Sequence, residues 1–316
     1  MITELESKSI QYIRSFAMLS ILLCHIQQAY DNKWAWIFNI GVQIFLAISG
    51  WLYGKKTIKD WKKWFIDKLY KLYIPYIIYV LFVFLLYNIA SVDVFSLKNL
   101  IVYGLDLQWI LGGVKGITHL WFMTAIFGCY LLTPFLQILK KNSGASLLFL
   151  ALIGFLNIFV FQKVLDIFTC FWVYTFTYLF VNCNISIQRI CIICMLIVAG
   201  YISSVINWSI IIDYSASINK LFHVIFGILF VLLPIALAKS LKTIIILPIV
   251  KWFDKQSYYI YITHHIFMLG PLSFAYMTGS IYMNIALIVA LSIISSIFLK
   301  YISDKLVFQL KNIQKL

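Results

Sequence analysis

Long uninterrupted apolar runs set the terms for this chain. A helix crossing the hydrocarbon core of a bilayer needs roughly 20 mainly apolar residues. Such runs recur near residues 12–30, 34–54, 73–91, 118–139, 145–162, 167–183, 189–207, 221–238, 257–278 and 281–300. They are continuous rather than alternating, which excludes a β-barrel, and a helix is then the way a backbone can satisfy its own hydrogen bonds in lipid. The expected architecture is all-α: a polytopic integral membrane protein of about ten transmembrane helices, one membrane-embedded domain over residues 1–316 with no separate soluble domain. Composition agrees, since only 11% of residues are charged where soluble domains carry about a quarter. The first run is not a cleaved signal peptide, because it lacks a small-residue cleavage site and carries Arg14, His25, Gln27 and Gln28 in or beside it. Two stretches read as interfacial or re-entrant: 95–117, interrupted by Lys98, Asp106, Gly112 and Gly113, and 243–250, too short to span and split by Pro248.

Lysine and arginine stay on the cytoplasmic side of short loops. With the N-terminus inside, twenty of the 25 basic residues fall on cytoplasmic segments and only Lys33, Lys98, Lys115, Lys163 and Lys220 outside. An even number of spans then puts both termini in the cytoplasm. The formal charge of +14 is wholly internal on this reading, because Asp31, Asp93, Asp106, Asp166 and Asp213 balance the five external lysines. The six cysteines fall in predicted helices or at their ends. Cys191 and Cys194 form one CxxC with no second pair or histidine partner, so the cysteines read as soft packing and no metal site is expected. No nucleotide-binding glycine loop or nucleic-acid motif is present.

A titratable side chain at membrane depth is costly unless solvated or paired, so each one is a candidate functional residue. No predicted span holds a central Asp or Glu, which weakens ion-coupled transport and removes paired-carboxylate mechanisms. Arg14 and His25 remain on the first helix. Eleven residues apart, they point to the same face about 16 Å apart along the axis. Separately, Arg14 reads as a snorkelling anchor and His25 as an interhelical hydrogen bond; together they favour a polar cavity. His264 and His265 follow Tyr261 on the ninth helix, where adjacent side chains diverge by about 100°, so at most one is expected in the cavity with Tyr261, and His264 is the better placed. His119 opens the fourth helix beside Trp121, which also suits an aromatic belt. His223 reads as structural. The lysine-rich stretch 55–71 is a positive-inside loop that would also steer a phosphorylated ligand.

Four segments resemble the integral-membrane acyltransferase-3 family. Tyr12-Ile-Arg-Ser-Phe-Ala-Met-Leu-Ser-Ile-Leu-Leu-Cys-His25 is similar to its basic-residue, ten-residue-gap, histidine motif, and Gly41-Val-Gln-Ile-Phe-Leu-Ala-Ile-Ser-Gly50 to its second helix. His119-Leu-Trp-Phe122 with Tyr130 and Pro134 is similar to its "HLWF…Y…P" helix, and Ser257-Tyr258 followed by Tyr261-Ile-Thr-His264 to its "SYxxYLxH" segment. Lys68 and Lys71 stand where the family commonly has arginines, and a lysine supplies a point charge without the bidentate fork.

The resemblance implies transfer of an acyl group, foremost acetyl, from cytoplasmic acetyl-CoA to a hydroxyl of a cell-surface or lipid-linked glycan, in the inner (cytoplasmic) membrane and without a metal. It implies His25 as catalytic base and Arg14 as its partner in catalysis and donor binding. Lys68 and Lys71 would contact the donor, and His119, Trp121, Tyr261 and His264 would line the acceptor side of the cavity. The partners would be the glycan or lipid-linked acceptor and membrane lipids, with no nucleic acid; a homodimer stays open. The alternatives are a glycan or lipid-linked-sugar transporter without acyl transfer, and a surface-sugar polymerase or ligase, which would usually want basic external loops.

Overall fold

The computed structural model describes residues 2–92, 96–156, 167–181, 215–240 and 243–313. Most of these residues are helical, with no strand among them. The predicted span 189–207, with Cys183, Cys191 and Cys194, lies outside them. Thirteen α-helices follow in order: α1 Glu4–Ala29, α2 Gly41–Gly54, α3 Trp61–Lys68, α4 Ile74–Ile89, α5 Leu97–Gly104, α6 Gln108–Leu111, α7 Trp121–Leu139, α8 Ser143–Phe155, α9 Ile167–Leu179, α10 Ser215–Ser240, α11 Pro248–Thr263, α12 His265–Met268 and α13 Ile281–Ile313. Among the described residues, five helical stretches are long and apolar enough to cross a membrane: Glu4–Ala29, Ala35–Gly54, Trp61–Ile89, Thr118–Leu139 and Ile281–Asn312.

The helices start where the sequence supplies caps. Thr3 and Glu6 form a reciprocal capping box, Thr3 Oγ1 accepting the Glu6 amide at 3.2 Å and Glu6 Oε2 the Thr3 amide at 2.9 Å. Asp60 accepts from the Lys63 amide at 2.9 Å, Ser96 from Asn99 at 3.1 Å and Asn142 from Ala145 at 3.0 Å. The Asp60 cap changes the reading of the lysine-rich stretch. Residues 61–68 are helix rather than loop, and a π-helical turn, Leu69–Tyr73, joins them to α4. A second departure concerns predicted span 257–278. Its helix begins at Pro248, whose ring suits a first helical position, and breaks at His264 before α12.

The chain forms two compact units. One comprises Met1–Ser20, Asn39–Thr57 and Ile126–Asp254; the other comprises Ile21–Phe38, Ile58–Ala125 and Lys255–Leu316. In the first, Gly50 and Gly54 bring α2 against the backbone of α9. A Cβ on Gly50 would lie 2.3 Å from the Tyr174 carbonyl oxygen, and one on Gly54 2.4 Å from that of Tyr178. This is the small-xxx-small packing expected where lipid offers no hydrophobic drive between helices. Gly227 of α10 seats on Gln43 of α2 in the same way, and Phe16 of α1 stacks on Phe230 with ring centroids 4.9 Å apart.

In the second unit α4 turns Tyr76, Tyr79, Val80, Val83 and Tyr87 inward, while Leu81, Phe82 and Leu85 stay more than half exposed, as a lipid-facing stripe would be. The buried tyrosines carry hydroxyls that need partners. Tyr76 donates to the Tyr103 carbonyl at 2.7 Å and Tyr87 to that of Lys115 at 2.8 Å, which fixes the 97–117 connection against α4.

Candidate functional site

In the second unit four histidines from three places in the chain meet. His25 comes from α1, His119 from the 3₁₀ turn Thr118–Leu120 that leads into α7, and His264 and His265 from the break between α11 and α12. The His25 and His264 rings are stacked at 5.0 Å, His119 and His265 at 4.5 Å, and His25 meets His265 edge-on at 4.8 Å. The expectation that only one of His264 and His265 reaches the cluster is corrected here. His264 keeps helical φ and ψ and the two rings stand at 87° to each other, yet His25 lies within 5.0 Å of both, so the diverging neighbours border the same ring from two sides.

Backbone carbonyls orient this cluster. His265 Nδ1–H donates to the Gly116 carbonyl at 3.0 Å and His119 Nε2–H to that of Ile262 at 3.1 Å. His264 Nδ1–H lies 2.8 Å from the Tyr261 carbonyl and 3.0 Å from that of Ile260. Carbonyls only accept, so each of these contacts fixes where the ring proton sits. Tyr261 returns a hydrogen bond from its hydroxyl to the His119 carbonyl, so α11 and the 3₁₀ turn are tied twice. The approach of the Gly116 and Gly270 backbones makes this possible. Both have positive φ, +89° and +118°, and a Cβ on Gly270 would meet Gly116 Cα at 2.6 Å.

Exposure separates the four. His119, His264 and His265 are 4%, 0% and 5% exposed, whereas His25 is only half-buried. Trp121 stands beside the turn, packed at 5.0 Å on Trp109 and at 6.3 Å on Phe122. Phe122 in turn packs on Tyr261 at 5.4 Å. Among the described residues no group of three or more His, Cys, Asp or Glu is placed to hold a metal ion.

Asp106, which the sequence places in an interfacial or re-entrant stretch without a role, is buried, at 8% exposed. Its carboxylate accepts from Gln108 Nε2 at 2.7 Å and Thr124 Oγ1 at 3.2 Å. Gln108 Nε2 also donates to the Leu120 carbonyl at 2.8 Å, one residue from His119. Burial raises the Asp106 carboxyl from its ordinary value to about 7 against the lowering effect of those two donors. The pairing with Gln108 two residues on is a sequence signal, but only the fold shows that it is buried.

Arg14 lies in the first unit and is paired. Its Nε is 2.9 Å from Asp254 Oδ1 and its Nη2 3.3 Å from Oδ2, with Asp254 nearly buried and the Arg14 side chain 37% exposed. Nothing in the spacing of two residues 240 positions apart announces this pair. Tyr12 and Ser15 tie the same part of α1 to the carbonyls of Ile245 and Val250, at 2.9 and 3.3 Å. Lys68 Nζ sits 5.5 Å over the Trp64 ring, and Lys71, in the π-helical turn, is exposed. His223 is buried in α10, in the first unit.

A separate cavity of about 610 Å³ in the second unit is lined by Tyr79, Phe82, Thr263, Phe274, Ser295 and Phe298 among others, and it is almost wholly apolar.

Compared with known proteins, the chain matches the acyltransferase-3 family model, described as an acyltransferase domain, over residues 7–302. No curated protein and no solved structure matches it. A match over nearly the whole length, on a chain with several membrane-crossing helices, establishes that the chain belongs to the acyltransferase-3 family and is a multi-pass membrane acyltransferase.

Proposed function

We propose that the protein carries an acetyl group from cytoplasmic acetyl-CoA to a hydroxyl of a cell-surface or lipid-linked glycan, in the cytoplasmic membrane, with His25 as the catalytic base. The observation that carries this reading is that His25 is only half-buried in a cluster whose other three histidines are buried. A general base must come within hydrogen-bond reach of the proton that it removes, and His25 is the member of the cluster that a substrate can reach.

In the reaction the acceptor oxygen attacks the thioester carbonyl carbon while His25 takes the hydroxyl proton. The tetrahedral intermediate collapses, the C–S bond breaks, and the leaving thiolate takes that proton to become CoA thiol. Arg14 supports donor binding through a guanidinium that Asp254 holds in place and leaves partly exposed. Lys68 and Lys71 would meet an anionic donor, and His119, Trp121, Tyr261 and His264 would back His25 on the acceptor side of the cavity. The apolar cavity of the second unit suits the hydrocarbon part of a lipid-linked acceptor.

His25→Ala is expected to abolish acetylation of the glycan, read by mass spectrometry of the surface polysaccharide, while the protein still accumulates in the membrane. Retained acetylation would falsify the assignment of the base. Glycan export that continues normally in the same cells argues against the transporter alternative.

A further inference from the structure

We infer that His264 is a positioning residue that fixes the tautomer of His25, so that the base acts as the outer member of a carbonyl–histidine–histidine relay. The inference rests on His25 being the base. It starts from atoms that cannot change role. The carbonyls of Ile260 and Tyr261 accept only, and His264 Nδ1 faces both, at 3.0 and 2.8 Å, so its proton is on Nδ1. In a neutral imidazole the other nitrogen then carries a lone pair. That nitrogen, His264 Nε2, is 2.7 Å from His25 Nδ1. Two lone pairs would repel at that distance, so His25 must hold its proton on Nδ1 and donate it. The remaining lone pair of His25 is on Nε2, free to take a proton from a hydroxyl.

The surroundings favour this assignment. Among the described residues, the titratable rings that meet His25 are those of His264 and His265 from the α11–α12 break and His119 from the 3₁₀ turn. His119 and His265 have their donors committed to the carbonyls of Ile262 and Gly116. His264 is 0% exposed, so its ring has no water with which to exchange partners. When His25 Nε2 accepts the hydroxyl proton, the imidazolium keeps its Nδ1–H bond to the His264 lone pair. The developing positive charge is met by a fixed acceptor, and no proton leaves the pair. A buried carboxylate performs this service in the serine protease triad; here a neutral ring does so, and it is itself polarised by two helix carbonyls.

The test compares two replacements of His264 in the full-length protein in detergent or vesicles, using acetyl-CoA and the natural glycan acceptor. His264→Phe keeps an aromatic ring but offers no acceptor, and kcat is expected to fall about 100-fold or more, with the acetyl-CoA KM within about two-fold. His264→Gln restores an acceptor oxygen and is expected to recover kcat to within about ten-fold of the unsubstituted enzyme. Equal losses in both variants, or full activity in His264→Phe, overturn the relay. Because a substitution at buried His264 can impair folding, a third measurement leaves His264 in place. The ¹⁵N spectrum of histidine-labelled protein, assigned with His25→Ala, is expected to show His25 protonated at Nδ1, and protonation at Nε2 overturns the inference. If His25→Ala is itself active, the underlying reading fails; if it is inactive while His264→Phe is active, only the relay fails.

Discussion

At the scale of single residues the chain uses buried polar groups in two ways. His119, His264 and His265 each donate to a backbone carbonyl, and Asp106 is a carboxyl group held by Gln108 and Thr124. The carboxylate has a consequence for stability. Its folded value, about 7, lies above the 3.8 of a free side chain because burial penalises the charge. A group raised on folding contributes stability that is fully present below its unfolded value and is lost as pH rises through its folded value. The window therefore runs from about pH 4 to about pH 7, and the swing is at most about 4 kcal/mol. We expect the melting temperature of the detergent-solubilised protein to fall between pH 5 and pH 8, and the Asp106→Asn variant to lose most of that slope. An identical slope in the variant would exclude Asp106 as its source. Arg14, His25, His119 and His264 were legible in the sequence as costly groups in apolar runs. Asp106 and Asp254 were not, because each sits outside such a run and acquires its meaning only from a partner that folding brings to it.

Among the helices, sequence periodicity located the elements better than their ends. Runs 118–139 and 281–300 fall within observed helical stretches, and 12–30 and 34–54 overrun theirs by one residue. The ends moved where local chemistry outweighed hydropathy: Asp60 caps a helix through a lysine-rich segment, and α11 begins at Pro248 and stops at Thr263 inside an apolar run. That stop was invisible to hydropathy because Thr263, His264, His265 and Ile266 are all buried, and burial tells a straight helix from a broken one no better than composition does. The contact between α2 and α9 offers a sharp test. Gly50→Ala would place a methyl group 2.3 Å from Thr177 Oγ1 and the Tyr174 carbonyl oxygen. Such overpacking typically costs about 1–3 kcal/mol. A matched control is Gly104→Ala at the end of α5, where a Cβ meets nothing within 4 Å and better helix propensity favours the change. The Gly50 variant should melt several degrees lower, and the Gly104 variant at or above the parent temperature. Equal melting of both would mean that α2 and α9 are free to move apart.

For the molecule as a whole the informative quantity is the +14 formal charge, which the bias of lysine and arginine toward cytoplasmic loops would place on one membrane face and the family match turns into a question about substrate. Lys59, Lys62 and Lys63 are exposed around the start of α3, with Lys68 and Lys71 further along the same helical stretch. Lys55, by contrast, is spent on Glu6 at 2.5 Å and on the face of Trp51. Exposed lysines make a weak specific contact but a lasting field, and a field acts on a polyanion before it docks. Because the Debye length is about 10 Å at 0.1 M salt and about 3 Å at 1 M, such an effect is strong in dilute buffer and vanishes in concentrated salt. If acetyl-CoA is the donor, replacing Lys59, Lys62 and Lys63 by Gln should lower donor kcat/KM about three- to ten-fold at low ionic strength, leave kcat unchanged, and make no difference near 1 M salt. An uncharged short thioester supplied as donor should show no such dependence in either protein. Loss of kcat in the triple variant at all salt concentrations would instead place these lysines in direct contact with the reacting groups, and an unchanged kcat/KM would mean that the donor reaches its site without help from this face.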